Sequence, residues 1–176
     1  MYVILSGECA TDFGTGTHEG FCYGNDYRCG PLTYLVDKII EQHCHYSIIT
    51  NELVVFVDSA ELERIKTTLR PSKKSVRIPG YKVKITARYH FEDARTLAVA
   101  ANTFIKTKTD KNCVAILFRD SNTTDKKEWN DKITSMLNGF IAEDFHYGVP
   151  MLPKPVSEAW ILCAIYRNGN MNRNCN

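Results

Sequence analysis

The sequence predicts an α/β fold with a mostly parallel sheet flanked by helices. Two short apolar runs, Tyr2-Val3-Ile4-Leu5 and Cys113-Val114-Ala115-Ile116-Leu117-Phe118, have the length and bounding residues of buried strands. Between and after them come stretches with apolar residues at helical spacing, and strand–helix alternation of this kind builds parallel sheets. The third observation is where the acids fall. Glu8 and Asp12 follow the first run, and Asp120 follows the second.

The first run drops into Ser6-Gly7 before reaching its two acids. Residues 14–30 are glycine-rich, carry Tyr23, Tyr27 and Arg28, and read as a long loop. Their glycines match neither a GxGxxG nor a Walker pattern, so no phosphate cradle is expected there. Pro31 opens a helix whose stripe is Leu32, Leu35, Val36, Ile39, Ile40 and His43, with proline in the first turn. Residues 46–50 and 53–57 follow as two strands or one interrupted strand. Asp58, with Glu61 three residues on, has the form of a capping box for a helix through Leu69. Beyond a basic turn, Pro71-Ser72-Lys73-Lys74, residues 76–89 read as a β-hairpin around Pro79-Gly80, an antiparallel insertion with one wet face.

Residues 93–106 suggest a helix with Leu97, Ala100, Ala101, Phe104 and Ile105 turned inward. The run 113–118 is the most apolar strand and is expected near the sheet centre. Residues 125–141 form an amphipathic helix on Trp129, Ile133, Met136, Leu137, Phe140 and Ile141, started by Asp125. A last strand falls within 145–152, and Pro153-Lys154-Pro155 then leads to Val156-Ser157-Glu158 and the apolar residues 159–166. The expected organisation is one domain over residues 1–167 and a loose asparagine-rich tail over 168–176.

The chain has 176 residues and a formal net charge of +2. That length supports a single core, and that charge leaves no broad basic footprint. Binding nucleic acid therefore calls for a local patch or for divalent ions bridging to phosphate. No run approaches the roughly 18 apolar residues of a membrane helix, and no export signal is visible. A cytoplasmic protein is expected. The seven cysteines then read as free thiols. A zinc site from Cys9, Cys22, Cys29 and Cys44 with His18, His43 and His45 lacks any CxxC spacing. Pairing Cys22 or Cys44 with His43 or His45 as nucleophile and base ranks lower still.

If the strands are parallel neighbours, Glu8 and Asp12, Asp120, and Glu158 beside the final apolar segment lie along one edge of the sheet, where α/β folds bind ligands. Converging carboxylates repel, and a hard divalent ion relieves them. Magnesium binds through one or two carboxylates, waters and substrate phosphate, and a metal pair can align water for phosphodiester attack. Separate helix caps and turn acids are the plainer account of the same residues.

Three motifs in order add to this reading. Gly7-Glu8-x-x-x-Asp12, Asp120-x-Asn122 at a strand end, and Val156-Ser157-Glu158-Ala159-Trp160 together resemble the Toprim domain. The closer likeness is to the branch found in overcoming-lysogenization-defect (OLD) nucleases and small bacterial relatives. The resemblance implies a Toprim-like (Rossmann-like) domain and a magnesium- or manganese-dependent nuclease, a hydrolase of DNA or RNA serving in phage defence. It implies Glu8 as metal ligand or general base, and Asp12, Asp120, Asn122 and Glu158 as further metal ligands. Lys154 would be a catalytic cation, and Arg119 and Ser157 would contact substrate. A partner ATPase and a homo-oligomer fit the same likeness. Two departures stand out. Asn122 occupies the place of the second DxD acid, and no lysine sits at the downstream position used by OLD-type enzymes, leaving Lys154, Arg119 or Arg167 to supply that charge. The alternative function is a degenerate Toprim-like binding or regulatory subunit acting with an ATPase.

Overall fold

In the computed structural model, residues 1–69, 85–110, 112–154 and 156 are described. In chain order the elements are β1 (Tyr2–Ser6), α1 (Ala10–Phe13), β2 (Gly14–Gly16), β3 (Phe21–Tyr23), β4 (Tyr27–Cys29), α2 (Pro31–Cys44), β5 (Val54–Val57), α3 (Ser59–Thr68), α4 (Ile85–Lys106), β6 (Cys113–Phe118), α5 (Lys126–Ile141) and β7 (Gly148–Met151). A sheet of order β3-β5-β1-β6-β7 forms the middle layer, and β2 with β4 makes a separate antiparallel ribbon. Strands β5, β1, β6 and β7 run parallel, while β3 lies antiparallel on the outer side of β5. The architecture is therefore α/β with a mostly parallel sheet, consistent with a Rossmann-like arrangement. β1 holds the centre, and β6, which the sequence suggests for that place, lies beside it.

Side chains alternate across each strand, and both faces of this sheet are covered. Ile4, Val55, Val57, Ala115 and Leu117 pack against α3, α4 and α5. Val3, Leu5, Val54, Phe56, Ile116 and Phe118 pack with Phe13 of α1 and with Leu32 and Val36 of α2. Burial on both faces explains why these strands read as continuous apolar runs rather than alternating ones.

Helices α2, α3 and α5 begin where the sequence predicts, whereas α4 begins at Ile85 rather than at Asp93. Pro31 is in the first turn of α2. Asp58 accepts the Glu61 amide at 2.7 Å to start α3, and Asp125 accepts the Glu128 amide at 2.7 Å to start α5. The buried stripes differ from expectation. On α2, Thr33 and Asp37 are buried, whereas Ile39 is exposed and His43 lies on the surface rather than at the core edge. On α5, Lys132 and Gly139 are buried with Met136 and Phe140, and Leu137 and Ile141 are exposed. Gly139 sets that rotation. A Cβ there would stand 2.3 Å from the Phe91 carbonyl oxygen, so only glycine lets α5 approach α4 so closely.

Three further expectations are corrected. Residues 14–30 are not a loop, because they hold the β2–β4 ribbon and β3. Gly14 adopts φ 130°, and a Cβ on Gly30 would fall 2.5 Å from the Gly14 amide nitrogen, so glycine is what closes the ribbon. Residues 46–50 form a turn rather than a strand. The buried Asp37 carboxylate accepts the Ile48 amide at 2.7 Å, the Ile49 amide at 3.2 Å and the Ser47 hydroxyl at 2.9 Å, diverting that backbone from sheet pairing. Residues 85–89 belong to α4, so the proposed hairpin cannot extend through them. Residues 70–84, including the basic turn and the hairpin core, lie outside the described residues, as do residues 157–176 with the apolar stretch and the tail.

Candidate functional site

β1 is flanked in the sheet by β5 on one side and by β6, which follows later in the chain, on the other. A crevice opens at the carboxyl ends of strands where the winding reverses in this way. Here it is a cleft of about 420 Å³. Gly7 and Glu8 line it from the end of β1, and Arg119, Asp120, Ser121 and Asn122 from the end of β6. Ser59 of α3, Tyr89, His90 and Asp93 of α4, and Lys132 of α5 complete the wall.

Ser6 pairs with Leu117 in register, which carries Glu8 alongside the residues that follow β6. The Glu8 Oε2 atom accepts the Asp120 amide at 2.8 Å. Glu8 is exposed, so its carboxylate reaches solvent in the cleft, and among the described residues its partner is an amide rather than a cation. Beneath it, the Ser6 hydroxyl is buried without a hydrogen-bond partner among the described residues.

The cations of the cleft are held in place. Arg119 donates from Nε to Asp93 Oδ2 at 2.8 Å and from Nη1 to the Phe118 carbonyl at 2.7 Å. Asp93 also meets Lys66 of α3 at 3.5 Å, so this carboxylate ties α3, α4 and the end of β6 together. Lys132 is 5 % exposed. Its Nζ donates to the Ser121 carbonyl at 2.5 Å and pairs with Glu128 Oε1 at 3.0 Å. Glu128 Oε2 in turn accepts the Thr123 hydroxyl at 3.1 Å. The turn bearing Asp120 and Asn122 is thus anchored on the first part of α5.

Of the residues singled out from sequence, Glu8, Arg119, Asp120 and Asn122 meet in the cleft. Asp12 does not line it, and its Oδ2 accepts the Cys9 amide at 3.0 Å to cap α1. Lys154 is exposed beyond β7 and is likewise not among the lining residues. Ser157 and Glu158 lie outside the described residues. Asn122 has φ 48°, in the left-handed region where asparagine is one of the best-tolerated side chains.

Sequence reasoning missed Ser59, Tyr89, His90, Asp93 and Lys132. Lys132 left a signal, being a charged residue on the stripe of Trp129, Ile133 and Met136. Asp93 was masked by its reading as a helix start, since α4 begins eight residues earlier, at Ile85.

Among the described residues no group of three or more His, Cys, Asp or Glu side chains is arranged to hold a metal ion. Five described cysteines are free thiols. Burial raises the Cys113 thiol to about 11, and burial also raises that of Cys29. Cys22 is fully buried and lies beside His18, 3.6 Å from its Nδ1, rather than beside His43 or His45. Among the described residues no helix is long and apolar enough to cross a membrane. Compared with protein-family models, curated proteins and solved structures, the chain matches none.

Proposed function

We propose that the chain is a Toprim-type, divalent-metal-dependent phosphodiesterase that cuts or nicks DNA or RNA. One observation carries the reading. Glu8 and Asp120, 112 residues apart in sequence, are joined by a 2.8 Å hydrogen bond at the carboxyl ends of adjacent parallel strands. Two of the three motifs behind the Toprim likeness thus border one cleft.

The donor set suits magnesium or manganese. Glu8 and Asp120 offer carboxylate oxygens and Asn122 an amide oxygen, and a hard cation needs only one or two protein carboxylates when water and phosphate fill its other positions. When bound, the ion supplies charge for the phosphate oxygens and acidifies a water. The chain's own residues do the rest. Glu8 and Asp120 would hold the ion at the ends of β1 and β6. Arg119, fixed by Asp93, brings a cation to the side where phosphate would lie. Lys132 keeps the Asp120–Asn122 turn rigid, so the ligands need no reorganisation on binding.

The second reading is a degenerate binding or regulatory subunit working with a partner ATPase. Asn122 favours it, because the left-handed turn accounts for asparagine there without any metal. The Toprim likeness suggests phage defence as the biological setting of the first reading.

Purified full-length chain incubated with labelled DNA and RNA is expected to cleave in magnesium or manganese and to stop on chelation with EDTA. Cleavage that continues in EDTA contradicts metal dependence. Binding without cleavage selects the second reading.

A further inference from the structure

Of the large hydrophobic side chains that stand exposed among the described residues, Tyr89 is the one that lines the cleft. It is 62 % exposed. Apart from Gly7 the other lining residues are charged or polar, His90 among them, so a phenol ring here differs in kind from its surroundings. No ring of another described residue stacks on Tyr89, whereas Tyr2, Tyr23 and Tyr27 each pack against a phenylalanine. Tyr89 also precedes Asp93 by one helical turn, so both project from the same side of α4. Asp93 holds Arg119, which adjoins Asp120. The ring therefore flanks the place where the cleft's anionic and cationic groups meet.

We propose that Tyr89 stacks on a nucleobase next to the bound phosphate and thereby selects single-stranded or locally unpaired nucleic acid. This rests on the phosphodiesterase reading of the same cleft. Stacking of a base on an aromatic side chain is tolerant of sequence and contributes about 1–3 kcal/mol per base. A base inside a duplex has both faces covered by its neighbours, so only an unstacked base offers a face to the ring. The cleft volume of about 420 Å³ lies within the range of small-ligand sites, enough for one nucleotide unit rather than a duplex. Phenylalanine should replace tyrosine, because the ring face and not the hydroxyl does the binding.

The test measures binding of a fluorescent, phosphorothioate-linked oligothymidylate of roughly ten nucleotides to full-length protein in magnesium buffer. Tyr89→Ala is expected to weaken binding about tenfold, and Tyr89→Phe to bind like the unaltered chain. A strand with abasic sites in place of its bases should bind the unaltered protein as weakly as Tyr89→Ala binds the thymidylate, with no further loss in the variant. Unchanged binding by Tyr89→Ala, an equal loss on the abasic strand, or no binding of the thymidylate by unaltered protein overturns the proposal. Cleavage of the ordinary phosphodiester strand is followed in parallel. A strand bound through Tyr89 but left uncut keeps the stacking site and removes the phosphodiesterase. A strand cut and bound equally by both proteins removes the stacking site and keeps the phosphodiesterase.

Discussion

Replacing Glu8 by Gln is expected to lower magnesium-dependent cleavage by at least about 100-fold and to leave stability within about 0.5 kcal/mol of the unaltered chain. Glu8 is exposed, and its carboxylate accepts a hydrogen bond from the Asp120 amide. Glutamine keeps an oxygen able to accept that bond, so the ends of β1 and β6 remain tied. What it removes is the negative charge. The loss corresponds to about 2.7 kcal/mol of transition-state stabilisation, more than removing the charge of an exposed side chain costs structurally. Initial rates together with thermal melts separate the two effects. A variant that cleaves at the original rate removes Glu8 from the chemistry.

The second large effect is expected at Lys132, whose replacement by Met should destabilise the fold by about 3 kcal/mol. Methionine is close to lysine in length and fills the same space, so little cavity is left. The change removes the charge-assisted hydrogen bond to the Ser121 carbonyl and the pairing with Glu128. Glu128 keeps 31 % of its side chain in solvent, so the estimate stays below that for breaking a fully buried pair. Cleavage should also fall at temperatures where the variant is folded, because the turn presenting Asp120 and Asn122 loses its anchor. Urea denaturation checks the first part and assays well below the melting point check the second. A loss under about 1 kcal/mol shows that the lysine gains little from its buried position.

The central strands β1, β5 and β6 were the most legible part of the sequence, because burial on both faces leaves an unbroken apolar run. Helix starts at Pro31, Asp58 and Asp125 were legible too, since proline and capping carboxylates act locally. What failed was non-local. Residues 46–50 have strand-like composition, yet the carboxylate of Asp37 on the preceding helix holds them in a turn. Residues 14–30 looked like a glycine-rich loop because their pairing partners lie in the ribbon and on β5. At the site, the strand-end position of Glu8 and Asp120 could be read once a parallel sheet was inferred. Asp12 could not be placed, because spacing does not distinguish a residue facing the cleft from one capping α1. Asp93, Tyr89 and His90 come from α4, whose register against the cleft depends on the close packing at Gly139.

If Glu8 and Asp120 together hold one divalent ion, manganese titration followed by electron paramagnetic resonance reads that binding. The unaltered chain should bind manganese saturably, magnesium should compete, and Glu8→Gln and Asp120→Asn should each weaken the site at least about tenfold while the melting temperature holds. Manganese binding of equal strength in the unaltered chain and both variants would remove Glu8 and Asp120 as the ligands.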